Sequence, residues 1–503
     1  MDEPRSRRNF LSQLAMTPLL VTALNRKAAS ATSQPVKSVP TDKAHVRPTV
    51  QQLSRDLRAR SVSPVELTRD CLARVEKLNP KLNAFITVMA DSALADAQRA
   101  EQEIQRDNYR GPLHGVPVGL KDILDTAGTR TTAASALFKD RIPAEDAEVV
   151  RRLRAAGAIV LGKQNLHEFA YGGSSMISFF GEVHNPWDPG RVAGGSSGGS
   201  AASVAAGLGL AAIGTDTAGS VRLPAAYCGV VGLKPTYGRV SARGVVPLSW
   251  SLDHVGPIAN SVWDAAAMLQ ALSGYDAGDP GSLDAPVPDF IAGLQEAPRK
   301  LRVGIPRAFF FDDLHPEVAA AIEKAIAVFR GMRAEIRDIR LDVPTDRTLS
   351  SAESYAYHAQ FLGASADLYQ PATLLRIRSA EKTSAAAALL AARELGRARH
   401  SIPKIFDDLD ILLTPTVPVP PPLIADLKAH PENLRPAELL MLRNTRPFNV
   451  WGIPAISMPC GFTADGLPIG LQLAAAHWRE DLLLQAAHAY ENQTDWHTRM
   501  PSA

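Results

Sequence analysis

Short apolar runs bounded by glycine or proline alternate along this chain with stretches of helical period, and that alternation admits few folds. Gly115-Val-Pro-Val-Gly-Leu-Lys121 reads as a buried strand that ends in a lysine. Residues 147–156 follow as a helix with Gly157 placed to cap it, and Ala158-Ile-Val-Leu161 returns as a second buried strand. The pattern continues with a helix over 201–208, a strand over 211–214, a helix over 263–273 and a strand over 301–305. A helix over 316–332, strands over 411–413 and 470–473, and a helix over 482–491 complete it. Before the first strand, Ser63-Pro-Val-Glu66 is a capping box with proline at the first helical position. Val65, Leu72, Val75 and Leu78 then make one apolar face as far as Pro80, and an Ala-rich helix spans 91–106. Strands alternating with helices predict an α/β fold, a mostly buried sheet with helices on its faces. Reactive groups in such folds collect where loops leave the strand ends.

The bulk numbers exclude several classes. Hydrophobic residues make up 46% of 503, enough for a large core but too evenly spread for a multi-pass membrane protein. A net charge of +2 gives no reason to expect nucleic acid or an acidic membrane as partner. Cys71, Cys228 and Cys460 lie far apart, without metal-ligand spacing, and read as small buried residues. At the N-terminus, Arg5, Arg7 and Arg8 precede an apolar run over 14–24, too short to span a bilayer, and Ala29-Ser-Ala31 fits a cleavage site. Ser6-Arg-Arg-Asn-Phe-Leu11 resembles the twin-arginine export motif. Residues 1–31 are therefore expected to be an export signal, 32–45 a linker and 46–498 one domain, with a periplasmic location if the signal is used. Without residues 1–31 the chain holds 49 basic and 50 acidic residues, so the small positive balance belongs to the signal.

Ser220 stands at the end of the loop Gly214-Thr-Asp-Thr-Ala-Gly-Ser220. A hydroxyl is a weak nucleophile without a base in reach, and no histidine neighbours it in sequence. Three short patterns nearby carry little. Gly194-Gly-Ser-Ser-Gly198 fits G-x-S-x-G, but the Asp and His that it needs are common enough to be satisfied by chance. Ser379-Ala-Glu-Lys382 fits S-x-x-K without its companion motifs, and His167-Glu168 lacks the second histidine of a zinc helix.

The longer pattern is specific. Gly194-Gly-Ser-Ser-Gly-Gly-Ser200 runs on to Gly214-Thr-Asp-Thr-Ala-Gly-Ser-Val-Arg222, and here the chain resembles the amidase signature family. The resemblance extends over about 50–495. It includes Gly115–Asp122, Gly162–Ala170, Asn185-Pro-Trp-Asp188, Gly229–Gly238, Leu252–Pro257, Asn449–Pro454 and Gly466–Gln472. It implies a three-layer α/β/α sandwich around a large mixed β-sheet. It also implies a triad with Ser220 as nucleophile, Ser196 as bridging serine after a cis Gly195–Ser196 peptide, and Lys121 as base. Ser197 and Ser200 are not candidates. The oxyanion donors implied are the backbone N–H groups of Thr217, Ala218, Gly219 and Ser220. Asp216 and Arg222 are expected to brace that loop. Relatives usually carry glycine where this chain has Ala218, and alanine there is strained if the position needs positive φ.

The chemistry stands apart from the resemblance. Free lysine titrates near ~10.4 and cannot act as a base at neutral pH, but burial disfavours its charged form by several units. A hydroxyl between it and the nucleophile can both donate and accept. The reaction implied is hydrolysis of a small-molecule amide through an acyl-enzyme, with neither metal nor organic cofactor, no nucleic acid and no stable membrane insertion. A homodimer is left open. Two rivals remain. One is the glutaminase component, the A subunit, of a tRNA-dependent amidotransferase. The export signal opposes it, as does the segment Leu374–Arg399, Ala-rich where a tyrosine-rich pattern is expected. The other is a non-catalytic binding protein, opposed by the intact Lys121, Ser196 and Ser220. The acyl pocket is expected from 170–180, 350–400 and 415–445.

Overall fold

The computed structural model describes residues 47–296 and 300–502. The export signal, the linker and Val46 lie outside the described residues. Among those described, eleven strands form one sheet. In chain order they are β1 (Phe85–Val88), β2 (Pro117–Lys121), β3 (Ile159–Gln164), β4 (Ala211–Asp216), β5 (Val231–Lys234) and β6 (His254–Ala259). They continue with β7 (Arg302–Ile305), β8 (Glu335–Asp338), β9 (Ile411–Pro415), β10 (Ala455–Phe462) and β11 (Pro468–Ala474). The sheet order is β1-β3-β2-β4-β6-β5-β10-β11-β9-β7-β8. It is mixed: β3-β2-β4 and β9-β7-β8 are parallel, and the other pairings are antiparallel.

Successive side chains of a strand point to opposite faces, and here they feed two separate cores. In β3, Val160 joins one apolar cluster while Ile159 and Leu161 join the other; in β4, Ala211 and Ile213 part from Ala212 in the same way. The first cluster is closed by helices Val262–Leu272, Pro316–Gly331 and Glu480–Glu491, the second by Pro64–Leu82, Ala90–Gln105 and Gly198–Ala205. The α/β/α sandwich around a large mixed sheet is thus the fold of this chain. No described helix is long and apolar enough to cross a membrane.

Local chemistry sets the element ends. Ser63 Oγ accepts from the N–H groups of Val65 at 3.1 Å and Glu66 at 3.3 Å and so opens helix Pro64–Leu82. That helix passes through Pro80, where the sequence pattern ends, and stops at Asn83 in the left-handed region. Helix Gly198–Ala205 starts three residues before the predicted one. Glycine permits this: a Cβ at Gly199 would lie 2.4 Å from the Asn165 carbonyl oxygen. Several strands escape sequence reading. β8 is a largely exposed edge strand with three charged residues, and β10 carries Pro459, which argues against a central strand. The structure accommodates that proline at a bulge, where the register against β11 shifts between Pro459 and Gly461.

Leu471, fully buried in β11 within the larger cluster, tests this packing. Leu471→Ala is expected to destabilise the fold by about 3 kcal/mol. In denaturant titration it should lower the midpoint with the slope unchanged.

Candidate active site

Lys121 and Asp216 end the neighbouring parallel strands β2 and β4, so both reach the same edge of the sheet. Lys121 is fully buried there. Its Nζ lies 2.7 Å from Ser196 Oγ and 2.8 Å from Thr215 Oγ1. Burial is the largest influence on it and brings its ammonium down to about 7, against the opposing pull of Asp253 and Asp216. The Gly195–Ser196 peptide is cis. The Ser196 carbonyl accepts from His167 N at 3.1 Å and from Ser175 Oγ at 3.2 Å, which fixes the loop. Ser197 N donates to the Ser220 carbonyl at 3.2 Å and so ties the two serine loops together. Among the described residues the Ser220 hydroxyl makes no hydrogen bond, and it faces a narrow cavity of about 40 Å³. Ser197 and Ser200 turn inward instead, their hydroxyls on the carbonyls of Thr215 at 3.2 Å and Ile213 at 3.5 Å.

The loop between β4 and Ser220 is folded around one buried carboxylate. Arg222 meets Asp216 with two nitrogens, Nη2 to Oδ1 at 2.9 Å and Nε to Oδ2 at 3.0 Å. Burial alone would raise the Asp216 carboxyl, but the Arg222 charge and hydrogen bonds, helped by Asn449, hold it far below the usual carboxylate range. Asp216 also accepts from the backbone N–H groups of Gly219 at 2.8 Å and Val221 at 3.1 Å. The other guanidinium contacts tie Arg222 to Gln472 Oε1 at 2.7 Å, Asn449 Oδ1 at 2.7 Å and the Thr445 carbonyl at 2.9 Å.

One of the four expected oxyanion donors is already engaged. The Gly219 N–H points inward to Asp216, because a buried carboxylate needs donors. The N–H groups of Thr217, Ala218 and Ser220 have no partner among the described residues. The concern over Ala218 moves one residue along. Ala218 is not in the left-handed region, whereas Gly219 has φ +130, and a Cβ there would lie 2.0 Å from Thr445 Oγ1. Glycine is required at 219 and alanine is unstrained at 218. Thr217 is further held by its hydroxyl on Asp253 Oδ1 at 2.5 Å.

Sequence reasoning missed Thr215 as the second partner of Lys121, although it lies inside the quoted loop. It also missed Asn449 and Gln472, whose motifs were noted without a role. The cavity walls come only partly from the expected stretches and their flanks: Tyr171, Arg347, Ser350, Arg435, Leu442 and Arg446 line it, but so do Leu248 and Leu252, which lie outside them. Ser379, from the S-x-x-K pattern, only closes a helix, its hydroxyl on the Arg376 carbonyl at 2.7 Å.

Arg222→Met leaves Asp216 buried without its counter-charge and is expected to cost about 3–5 kcal/mol. Thermal and denaturant unfolding of the variant measure this, and an unchanged midpoint would count against the pair as the anchor of the loop.

The same frame and motifs occur in known proteins. A family model described as Amidase matches residues 66–484. The A subunit of the Glutamyl-tRNA(Gln) amidotransferase from Geotalea daltonii is 41% identical over 480 residues, covering 90% of this chain and 98% of that protein. Among solved structures, 6-aminohexanoate cyclic dimer hydrolase complexed with substrate is 33% identical with a TM-score of 0.82, covering 90% of this chain and 98% of that one. Native peptide amidase from Stenotrophomonas maltophilia is 31% identical with a TM-score of 0.77, covering 93% of this chain and 99% of that one. The chain belongs to the amidase signature family and is an amide-hydrolysing enzyme.

Proposed function

We propose that this enzyme hydrolyses a small carboxamide through an acyl-enzyme on Ser220, with Ser196 and Lys121 moving the proton. The observation that carries the reading is the buried Lys121, at 2.7 Å from Ser196 Oγ and brought down to about 7. In the neutral amine one N–H donates to Thr215 while the lone pair accepts from the Ser196 hydroxyl. Ser220 Oγ attacks the amide carbon, its proton passes to Ser196, and the Ser196 proton passes to Lys121. The carbonyl oxygen becomes an oxyanion facing the N–H groups of Thr217, Ala218 and Ser220, in the kind of setting where one lost donor costs about 3–4 kcal/mol. Collapse breaks the C–N bond, and the same relay returns the proton to the departing nitrogen. Water then attacks the acyl ester by the same route and releases a carboxylate. Hydrogen bonds of this kind tighten when substrate fills the site, so a free Ser220 hydroxyl is compatible with the relay.

A second reading has a specific observation behind it. The curated relatives are named as the A component of Glutamyl-tRNA(Gln) amidotransferase and align over 98% of their length, which favours the glutaminase of that complex over a free-standing amidase. The solved peptide amidase and cyclic dimer hydrolase, and the export motif of residues 6–11, support the free-standing enzyme. Glutamine hydrolysis assayed with and without the other components of an amidotransferase separates the two. Fusion of residues 1–40 to a reporter is expected to carry it out of the cytoplasm of a bacterial host; a retained reporter favours the amidotransferase component.

Ser220→Ala and Lys121→Ala are each expected to abolish amide hydrolysis while melting like the parent protein. Wild-type turnover by purified Ser220→Ala removes Ser220 as nucleophile. The pH profile gives an independent check. Protonated Lys121 cannot accept a proton, so kcat/KM is expected to rise about tenfold per pH unit up to about 7 and then level off. A profile flat from pH 5 to 8 would remove Lys121 as the base.

A further inference from the structure

The cavity beside Ser220 holds three arginines and, among the described residues, no carboxylate. Arg347, Arg435 and Arg446 line it together with Tyr171, Leu248 and Leu442. Arginine is rarely buried without a counter-charge, because its desolvation must be compensated. Arg446 is only 5% exposed. Its Nη2 donates to the Asp346 carbonyl, while its Nη1 is buried with no partner among the described residues. Burial, and then the neighbouring Arg347 charge, push its guanidinium down to about 9; Arg347 is pushed down to about 10 by burial and then by Arg435. Arg347 and Arg446 still carry their charge at neutral pH.

The nearby acids are engaged or directed elsewhere. Glu438 is taken by Arg376 at 2.8 Å and by the Ser174 hydroxyl at 2.7 Å, and it reaches Arg435 only at 3.6 Å. The Asp346 carboxylate accepts from Thr348 N and Oγ1 at 3.3 and 2.8 Å. It lines, with Asp342 and Glu394, an adjoining cavity of about 560 Å³ that meets the Ser220 cavity at Leu252, Ser350 and Arg446. Among the described residues, Arg347 and Arg446 make no ion pair, and Arg435 has only Glu438 at 3.6 Å, so the cluster beside the reacting serine is under-compensated.

We propose that Arg347, Arg435 and Arg446 bind a carboxylate on the acyl portion of the substrate, so that the enzyme takes the monoamide of a short dicarboxylic acid that carries no ammonium group. A planar fork of guanidinium donors matches a carboxylate, and the free Arg446 Nη1 is one of them. The narrow cavity suits a short acyl chain, and its apolar walls, Leu248, Leu252 and Leu442, suit methylene groups. An α-ammonium such as that of glutamine meets three arginines there and, among the described lining residues, no acid. The inference rests on the amidase reading for its reaction, but not for its binding.

The test uses glutaramate, the neutral amide valeramide of equal chain length, and glutamine. For the wild-type enzyme kcat/KM is expected to be about 10- to 100-fold higher for glutaramate than for valeramide, and higher for glutaramate than for glutamine. In Arg446→Met and in the more exposed Arg435→Met the ratio of glutaramate to valeramide should fall toward one, chiefly through KM. A wild-type enzyme that prefers valeramide or glutamine overturns the inference and leaves the amidase reading standing. Calorimetry of glutarate with Ser220→Ala, with and without Arg446→Met, decides the case where no amide is turned over. Glutarate binding that is lost with Arg446 supports the anion site. No glutarate binding, or binding indifferent to Arg446, overturns it. Failure of the wild-type protein to react with a fluorophosphonate would count against the amidase reading alone.

Discussion

The Asp216–Arg222 pair is the contact on which the site depends. It is fully buried, with nitrogens at 2.9 and 3.0 Å from the two carboxylate oxygens. Asp216 draws the N–H groups of Gly219 and Val221 around itself, and so gives the loop its curvature. Arg222 carries that order outward to Thr445, Asn449 and Gln472, which come from remote parts of the chain. Pairs of this kind add little net stability, because desolvation offsets the attraction. What this one supplies is geometry: it turns the Gly219 N–H inward and leaves the Thr217, Ala218 and Ser220 N–H groups without partners among the described residues.

The same burial that makes such a pair demanding makes the lysine useful. Lys121 ends a strand covered on both faces and, among the described residues, meets two hydroxyls and no carboxylate at contact distance. Its charged form is disfavoured, with Asp216 and Asp253 near enough to raise its affinity for a proton but too weak to cancel the effect of burial. The Asp216 charge is largely spent on Arg222. Asp253 is itself raised to about 6 by burial and is held by the Thr217 hydroxyl. The loop and the base are thus linked through the same acids. Among the described residues lining the cavity, Arg347 and Arg446 differ from Arg222 in having no ion-paired carboxylate, and Arg435 has one only at 3.6 Å; that contrast separates a structural cation from one available to a ligand.

Much of the frame is legible in the sequence because short-range rules govern it. The strands read at 115–121, 158–161 and 211–214, which the structure places at 117–121, 159–164 and 211–216, the Ser63 cap and the alternation of helix and strand all follow from local patterning. The reading failed where local preference and tertiary context disagree. Pro459 sits in a strand by means of a bulge, β8 has no apolar run to announce it, and Gly199 stands in the first turn of a helix because backbone from other segments needs its space.

The sequence alone determined the family, the residues at the two serine loops and the lysine, since these lie in compact motifs whose spacing is read directly. Tertiary structure decided what surrounds them. It decided that Thr215 holds the second face of the lysine, that Gly219 rather than Ala218 is the position demanding glycine, and that the Gly219 N–H is used by Asp216. It also gathered Arg347, Arg435 and Arg446 around one cavity. No pattern announces that cluster, because its members lie on separate segments and their mutual approach is set by packing of the whole chain. Charge is written in the sequence, but its pairing is a property of distance in space.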